Sequence, residues 1–237
     1  VRAMTGGKAF RRWLRPLLLV VATLFFVSLY QSWVRIPANF APWGEVELEQ
    51  PPGWLARVQI NSLAADPPAC IAALDRSALS YRRTPARPIV DGCGLEAAVR
   101  PRQSHVAYNR GFDLTCGMMA ALYWYEAALQ RLAQQHLGSK IVRIDQLGTY
   151  ACRNVNSAAS GRRSQHATAN AIDIAGFHLA DGRRISILDD WGKDTPEARF
   201  LAAARDEGCR FFNVVLSPDY NRLHANHFHL DLGGFRM

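Results

Sequence analysis

The 237-residue chain predicts an α+β fold: a small, mainly antiparallel sheet with flanking helices, preceded by one N-terminal transmembrane helix. Three observations carry that expectation. An uncharged apolar run covers residues 17–34, two later segments carry helix start signals, and the stretches around them read as strands in succession. Hydrophobic residues make up 49% of the chain and Gly and Pro are unbiased, which excludes a disordered or collagen-like protein.

The elements follow in order. Arg2, Lys8, Arg11, Arg12 and Arg15 place five cations and no acid ahead of residue 16, so residues 1–15 read as a cytoplasmic basic segment. The run LLLVVATLFFVSLYQSWV at 17–34 has only Thr23, Ser28, Gln31 and Ser32 as polar side chains. As a helix it rises about 27 Å, against roughly 30 Å of bilayer hydrocarbon. Trp13, Tyr30 and Trp33 sit where interfacial aromatics are expected, and residues 16–34 are assigned to the transmembrane helix. A cleaved signal peptide is the alternative, but it wants an Ala-x-Ala-like site, and Tyr30-Gln31-Ser32-Trp33 offers none. A buried core helix fits less well, because nothing on the segment is polar enough to face water.

Residues 35–62 hold Pro37, Pro42, Pro51 and Pro52 with Trp43 and Trp54, which reads as a stalk or an extended wrap. The domain proper is expected over residues 63–237. Thr115 caps a helix to about His136, with Leu114, Met118, Leu122, Tyr125, Leu129 and Leu132 as its core stripe and Gly138 as its stop. A strand is expected over 141–147. Strands over 171–180 and 183–188 flank Asp181-Gly182, a two-residue hairpin turn. Thr195-Pro196-Glu197 starts a second helix that ends near Gly208. Strands over 211–216 and 227–232 complete the pattern.

Charge and cysteine usage narrow the setting. Beyond the basic segment the chain carries 23 basic and 20 acidic residues, a net of about +3, which removes the case for a nucleic-acid partner. Cys70, Cys93, Cys116, Cys152 and Cys209 are widely spaced, with no Cys-x-x-Cys pair to suggest a zinc ribbon. In an oxidising compartment they form two disulfides with one thiol left over, the pairing being left open. The alternative is five reduced, buried cysteines.

Four of the seven histidines fall in two segments, around His166 to Asp173 and in His224-Ala225-Asn226-His227-Phe228-His229-Leu230-Asp231. On a strand, His227 and His229 project from one face about 6.5–7 Å apart while Phe228 and Leu230 pack the other. Asp231 follows on the polar face. Such a face is expected to look into a polar cleft or a metal. A catalytic zinc needs about three protein ligands and an open fourth position, and His166 and Asp173 are the natural candidates to join one of these imidazoles. The plainer reading is a polar surface strand with scattered histidines. His105, His136 and His178 have no partner pattern and read as structural or exposed.

His166-x6-Asp173 followed by His227-x-His229 resembles the zinc peptidases grouped with lysostaphin, the D-alanyl-D-alanine metallopeptidases and the hedgehog signalling domain. Gly148-Thr149-Tyr150-Ala151-Cys152-Arg153, Ser164-Gln165-His166 through Ile172-Asp173-Ile174-Ala175-Gly176-Phe177, and the closing His224 to Asp231 stretch look more closely like the bacterial extensin-like C-terminal domain family. That resemblance runs from about Leu63 to Gly233. It implies a hedgehog/DD-peptidase-like fold and Zn2+ held by His166, Asp173 and His229. It matches His227 to a general base or transition-state stabiliser, His224 to a further active-site histidine, and Arg153 to a strand-borne, substrate-contacting arginine. Arg153 lies much closer to His166 than in those enzymes. Ser164 occupies the Ser-x-His position, where it orients the ligand loop or simply forms a turn, and Asp231 is a candidate to orient His227 or His229.

The expectation is a single-pass inner-membrane protein with its catalytic domain in the periplasm. There it hydrolyses peptide amide bonds of peptidoglycan stems or cross-links, with a zinc-activated water as nucleophile and His227 as base. The alternative is a non-catalytic, metal-containing cell-wall-binding domain. A His-rich nuclease lacks the basic stripe it would need.

Overall fold

The computed structural model describes residues 6–30 and 44–234. The chain divides into two compact units, Val1–Pro37 and Ala38–Met237. In the first, helix α1 (Gly6–Tyr30) is 25 residues long and contains Pro16. Leu17, Leu18, Leu19, Leu24 and Phe26 are exposed on it. Its two hydroxyls bond back to the helix, Thr23 Oγ1 donating to the Leu19 carbonyl and Ser28 Oγ to that of Phe25. Among the described residues no helix is long and apolar enough to cross a membrane. The transmembrane helix expected over 16–34 is therefore not supported among the described residues, and its last residues, including Trp33, lie outside them.

In the second unit two helices come first, α2 (Ala56–Ala65) and α3 (Pro67–Asp75). Asp66 caps α3 by accepting from the Ala69 N–H, and the prolines after it fix the first helical φ. Short strands follow: β1 (Ser80–Arg83), β2 (Arg87–Val90), β3 (Cys93–Leu95), β4 (Ala98–Gln103), β5 (Ala107–Tyr108) and β6 (Leu114–Thr115). The long helix α4 (Cys116–Leu137) starts at its Thr115 cap, whose Oγ1 accepts from the Met118 N–H, and stops at Gly138 in the left-handed conformation, φ 66°. After it come β7 (Ile141–Gly148), β8 (Ala171–Leu179), β9 (Arg184–Ser186), α5 (Ile187–Asp190), α6 (Pro196–Gly208), β10 (Val214–Leu216) and β11 (Phe228–Asp231).

The main sheet has the order β10-β11-β8-β7-β5, with β9 paired to β8. Its pairings are antiparallel except β5 with β7. A three-stranded sheet, β1-β4-β6, and the β2-β3 hairpin stand apart from it. The mixed α+β architecture with antiparallel sheets is the one expected, but three details differ. The strand expected over 183–188 ends at Ser186, whose hydroxyl caps the helical turn α5 by accepting from the Asp189 N–H. The strand expected over 211–216 begins only at Val214, because Phe211 and Phe212 turn into the core. Helices α2 and α3 and strands β1–β6 went unassigned.

Helix α4 is the centre of the core. Met118 to Tyr125 is a continuous buried run, apolar around the whole helix, as expected for an element covered on all sides. A Cβ on Gly117 would lie 2.6 Å from that of Ala64, so only glycine admits α2 this close. Tyr125 donates to the Ala204 carbonyl on α6 at 2.9 Å. Val46 and Leu48, in the segment expected to be a stalk or a wrap, are buried in this core, and Trp124 Nε1 donates to the Leu48 carbonyl. Two disulfides tie the fold, Cys70–Cys116 between α3 and α4 and Cys93–Cys152 between the β2-β3 hairpin and the loop after β7, leaving Cys209 free. Each contributes roughly 2–4 kcal/mol by restricting the unfolded chain.

A buried carboxyl on α4 makes stability depend on pH. Glu126 is fully buried and accepts from the Ser104 hydroxyl, the His105 N–H and the Tyr108 hydroxyl. Burial outweighs these donors and pushes its pKa from the ordinary 4.5 up to about 7. A carboxyl raised on folding leaves stability intact below its unfolded pKa and removes it as pH rises through the folded one. Unfolding free energy is therefore expected to fall by about 3 kcal/mol between roughly pH 4.5 and 7 on this account. Urea titrations at pH 5 and pH 8 should show that loss in the wild type and a clearly smaller one in Glu126→Gln.

Candidate metal centre

Strand pairing alone brings two of the candidate residues together. β8 and β11 run antiparallel with His229 directly opposite Asp173. Alternation along both strands sends Ile172, Ile174, Phe228 and Leu230 into the core and leaves Asp173, His229 and Asp231 on the other face. The third residue arrives by a turn. The Ser164 hydroxyl accepts from the His166 N–H and opens the single 3-10 turn Gln165–Thr168. Ala169, in the left-handed conformation at φ 54°, then reverses the chain into β8. That fold-back sets His166 above Asp173.

The three donors converge. His166 Nε2 is 3.2 Å from Asp173 Oδ1 and 3.1 Å from His229 Nδ1, and His229 Nδ1 is 2.9 Å from Asp173 Oδ1. The remaining nitrogen of each imidazole faces an acceptor outside the cluster. His166 Nδ1 lies 3.3 Å from the Thr149 carbonyl, and His229 Nε2 lies 2.9 Å from Asp231 Oδ2. Acceptors on the outer nitrogens favour the tautomers whose inner nitrogens carry lone pairs, a state His229 reaches on losing its inner proton, and Asp173 Oδ1 offers only lone pairs to the same centre. Asp231 is held in turn by the Gly233 N–H at 2.6 Å. His166 is buried and the His229 side chain is only 12% exposed.

The donor set fits a metal ion. Tetrahedral zinc with bonds of about 2.0–2.1 Å separates its ligand atoms by roughly 3.3–3.4 Å, close to the distances found. His166, Asp173 and His229 are thus a group that can hold a metal. Charge agrees. Burial raises the Asp173 pKa on its own, but the hydrogen bonds and charges of His166 and His229 outweigh it and hold the carboxylate far below its ordinary range. Burial lowers His229, yet Asp173 and Asp231 outweigh that and push it up to about 9. The pocket between these carboxylates favours a cation, whether a proton or a metal.

Two more imidazoles border the centre. His227 precedes β11 by one residue, and its Nε2 lies 3.6 Å from Asp173 Oδ1 while Nδ1 faces Asn226 Oδ1 at 2.8 Å. Burial lowers its pKa, with the His229, His166 and Arg153 charges adding to the effect against Asp173. His224, in the turn Arg222–His224, has its Nδ1 2.8 Å from Asn221 Oδ1, and burial with its histidine neighbours lowers it to about 4. Both are therefore neutral at pH 7, with Nε2 free of the proton. Arg153 lines the same cavity, of about 480 Å³, but lies in the loop after β7 rather than on a strand as the resemblance implied.

All eight predicted catalytic, metal and supporting residues, from Arg153 and Ser164 to Asp231, line this cavity. His105, His136 and His178 do not. His178 instead pairs with Asp145 and Arg143 on the surface, and His105 stacks on Tyr123. Sequence reasoning missed three partners: the Thr149 carbonyl, Asn221 and Asn226. The first is a backbone atom and left no side-chain signal. The asparagines stand beside the histidines they orient, and their spacing was the available clue.

Two imidazoles and one carboxylate on the open face of an antiparallel sheet, with further neutral imidazoles beside them, define an α+β domain built around a candidate metal centre. The chain belongs to the family described as extensin-like protein C-terminus, whose model matches residues 68–237. No curated protein and no solved structure matches the chain.

Proposed function

We propose that the protein is a membrane-anchored, periplasmic, zinc-dependent hydrolase that cleaves peptide amide bonds of peptidoglycan stems or cross-links. The observation that carries this reading is the convergence of His166, Asp173 and His229 on one point, with the outer imidazole nitrogens turned to the Thr149 carbonyl and Asp231, so that an ion can take the place of the His229 inner proton. The resemblance of the His166-x6-Asp173 and His227-x-His229 motifs to those of the lysostaphin, D-alanyl-D-alanine peptidase and hedgehog group supports zinc as the ion and an amide as the substrate. When bound, zinc supplies Lewis acidity, acidifying water to near neutrality and polarising a carbonyl. His227 Nε2 accepts the proton, its other nitrogen fixed by Asn226. Arg153 brings positive charge to the substrate side, and Asp231 keeps His229 in the ligating tautomer.

The uncharged run at 17–34 behind a basic segment supports anchorage, as do helix hydroxyls that bond internally, since lipid leaves no polar group unpaired at low cost. Two disulfides fit the oxidising side of that membrane. The test is incubation of the purified protein with peptidoglycan. New amino termini should appear, vanish with chelator and return with zinc. Sedimentation with the wall and no new amino termini would favour the non-catalytic binding domain instead.

A further inference from the structure

The loop between β7 and β8 forms a short antiparallel arm over the cavity. Asn154 and Arg163 are bridge partners, flanked by hydrogen bonds from the Val155 N–H to the Arg162 carbonyl and from the Ser164 N–H to that of Arg153. Arg153 therefore stands opposite Ser164, and Val155 opposite Arg162. Side chains alternate across such a ladder, so these four share one face and Asn154 and Arg163 share the other. Arg153, Val155, Arg162 and Ser164 all border the cavity, as does Arg163 at the arm's stem, whereas Asn154 does not.

The two faces do different work. Arg163 is a brace, with Nε donating to the Asp91 carbonyl at 2.7 Å and Nη1 to Asn154 Oδ1 at 3.1 Å. A Cβ on Gly92 would strike its Cγ at 2.8 Å, so the tip of the β2-β3 hairpin rests against its stem. The Cys93–Cys152 disulfide fixes the arm's base to the same hairpin. Arg153 and Arg162 occupy diagonal positions on the cavity face, about 7–8 Å apart in backbone terms and within reach of one another's long side chains. Neither has a hydrogen-bond or ion-pair partner among the described residues. The cavity's two carboxylates are engaged elsewhere, Asp173 by His166 and His229 and Asp231 by His229 and Gly233. Two arginines at diagonal positions on a braced arm, both bordering the cavity and without a counter-ion among the described residues, lack an anion.

We propose that Arg162 joins Arg153 in a two-guanidinium clamp for the free carboxylate of a peptide terminus, which makes Arg162 a specificity-determining residue of the cavity. This deepens the hydrolase reading and rests on it for the identity of the peptide. Two forks around one carboxylate match its geometry as ammonium groups do not, and each charge-assisted contact is worth about tenfold or more in affinity. Val214, Leu216, Tyr220 and Leu223 give the same cavity an apolar lining for the body of the peptide.

The experiment is calorimetric titration of the full-length protein in detergent with N-acetyl-D-alanyl-D-alanine and with its C-terminal carboxamide, in zinc-loaded and chelator-stripped samples. The acid should bind about tenfold or more tightly than the amide in both samples. Arg162→Gln should remove most of that preference without changing metal content, Arg162→Lys should keep part of it, and Arg184→Gln, the same charge change on β9, should leave it intact. Equal binding of acid and amide by the wild type, including no binding of either, overturns the clamp, as does full preference in Arg162→Gln. Failure of the metal reading looks different: no bound zinc, with the preference for the acid preserved.

Discussion

Replacing His166 or Asp173 by alanine should abolish metal binding, lowering zinc content from near one equivalent to background by elemental analysis. The expectation follows from the small donor set. With three protein ligands, removal of one leaves two, and the Asp173 change also strips the only anionic ligand from the centre. His229→Ala should behave alike. A graded comparison sharpens the test, because Asp231 touches His229 and not the shared centre. Asp231→Asn should retain metal with affinity reduced about 10–100-fold, the usual penalty for disturbing a ligand's orienting partner. Near-stoichiometric zinc in either the His166 or the Asp173 variant would sink the assignment of the centre.

The second large effect separates the metal from the chemistry. His227→Ala should keep wild-type zinc content and lose about 10²–10⁴-fold in turnover, the contribution of one positioned general base. His227 does not belong to the converging donor set, and its Nε2 lies beyond hydrogen-bond range of Asp173 at 3.6 Å. Burial and the surrounding cations lower its pKa, so it is ready to accept a proton at neutral pH. Asn226→Ala should reproduce part of the loss by freeing the tautomer that Asn226 Oδ1 holds. Peptidoglycan turnover and metal content measured on the same samples decide the matter. A fully active His227→Ala protein would move the base elsewhere in the cavity.

The site was more legible in the sequence than the fold. His227, His229 and Asp231 stood out because they alternate with Phe228 and Leu230 at strand spacing, and a half-buried strand has no packing reason to place them so. His166 and Asp173, with six residues between them and a 3-10 turn on the way, were legible only as a nearby imidazole and carboxylate and through the family resemblance. The long helix from Thr115 to Gly138 and the hairpin at Asp181-Gly182 were legible for equally local reasons, a cap, a stop and a turn. The region from 56 to 115 was not. Its strands are two to six residues long, too short for alternation to develop, and they are held by the Cys93–Cys152 link and by burial against α4. The Asp66-Pro67-Pro68 start of α3 was a readable signal passed over. Val46 and Leu48 escaped because two apolar residues among prolines carry no period, although they end in the core. Arg153 could not be placed on or off a strand from its spacing, since the arm that carries it depends on a bridge between residues nine apart.

Because Asp173 and His229 face each other across the β8–β11 seam, the ligand set and the greasy underside of the sheet are two readings of one alignment. A slip of a single residue along that seam would turn His229 downward and bring Phe228 or Leu230 up to water, destroying both at once. Metal uptake during refolding is then an all-or-nothing witness that the closing strand has docked correctly. A chain that has collapsed around α4 with β11 misaligned would look compact yet take up no ion.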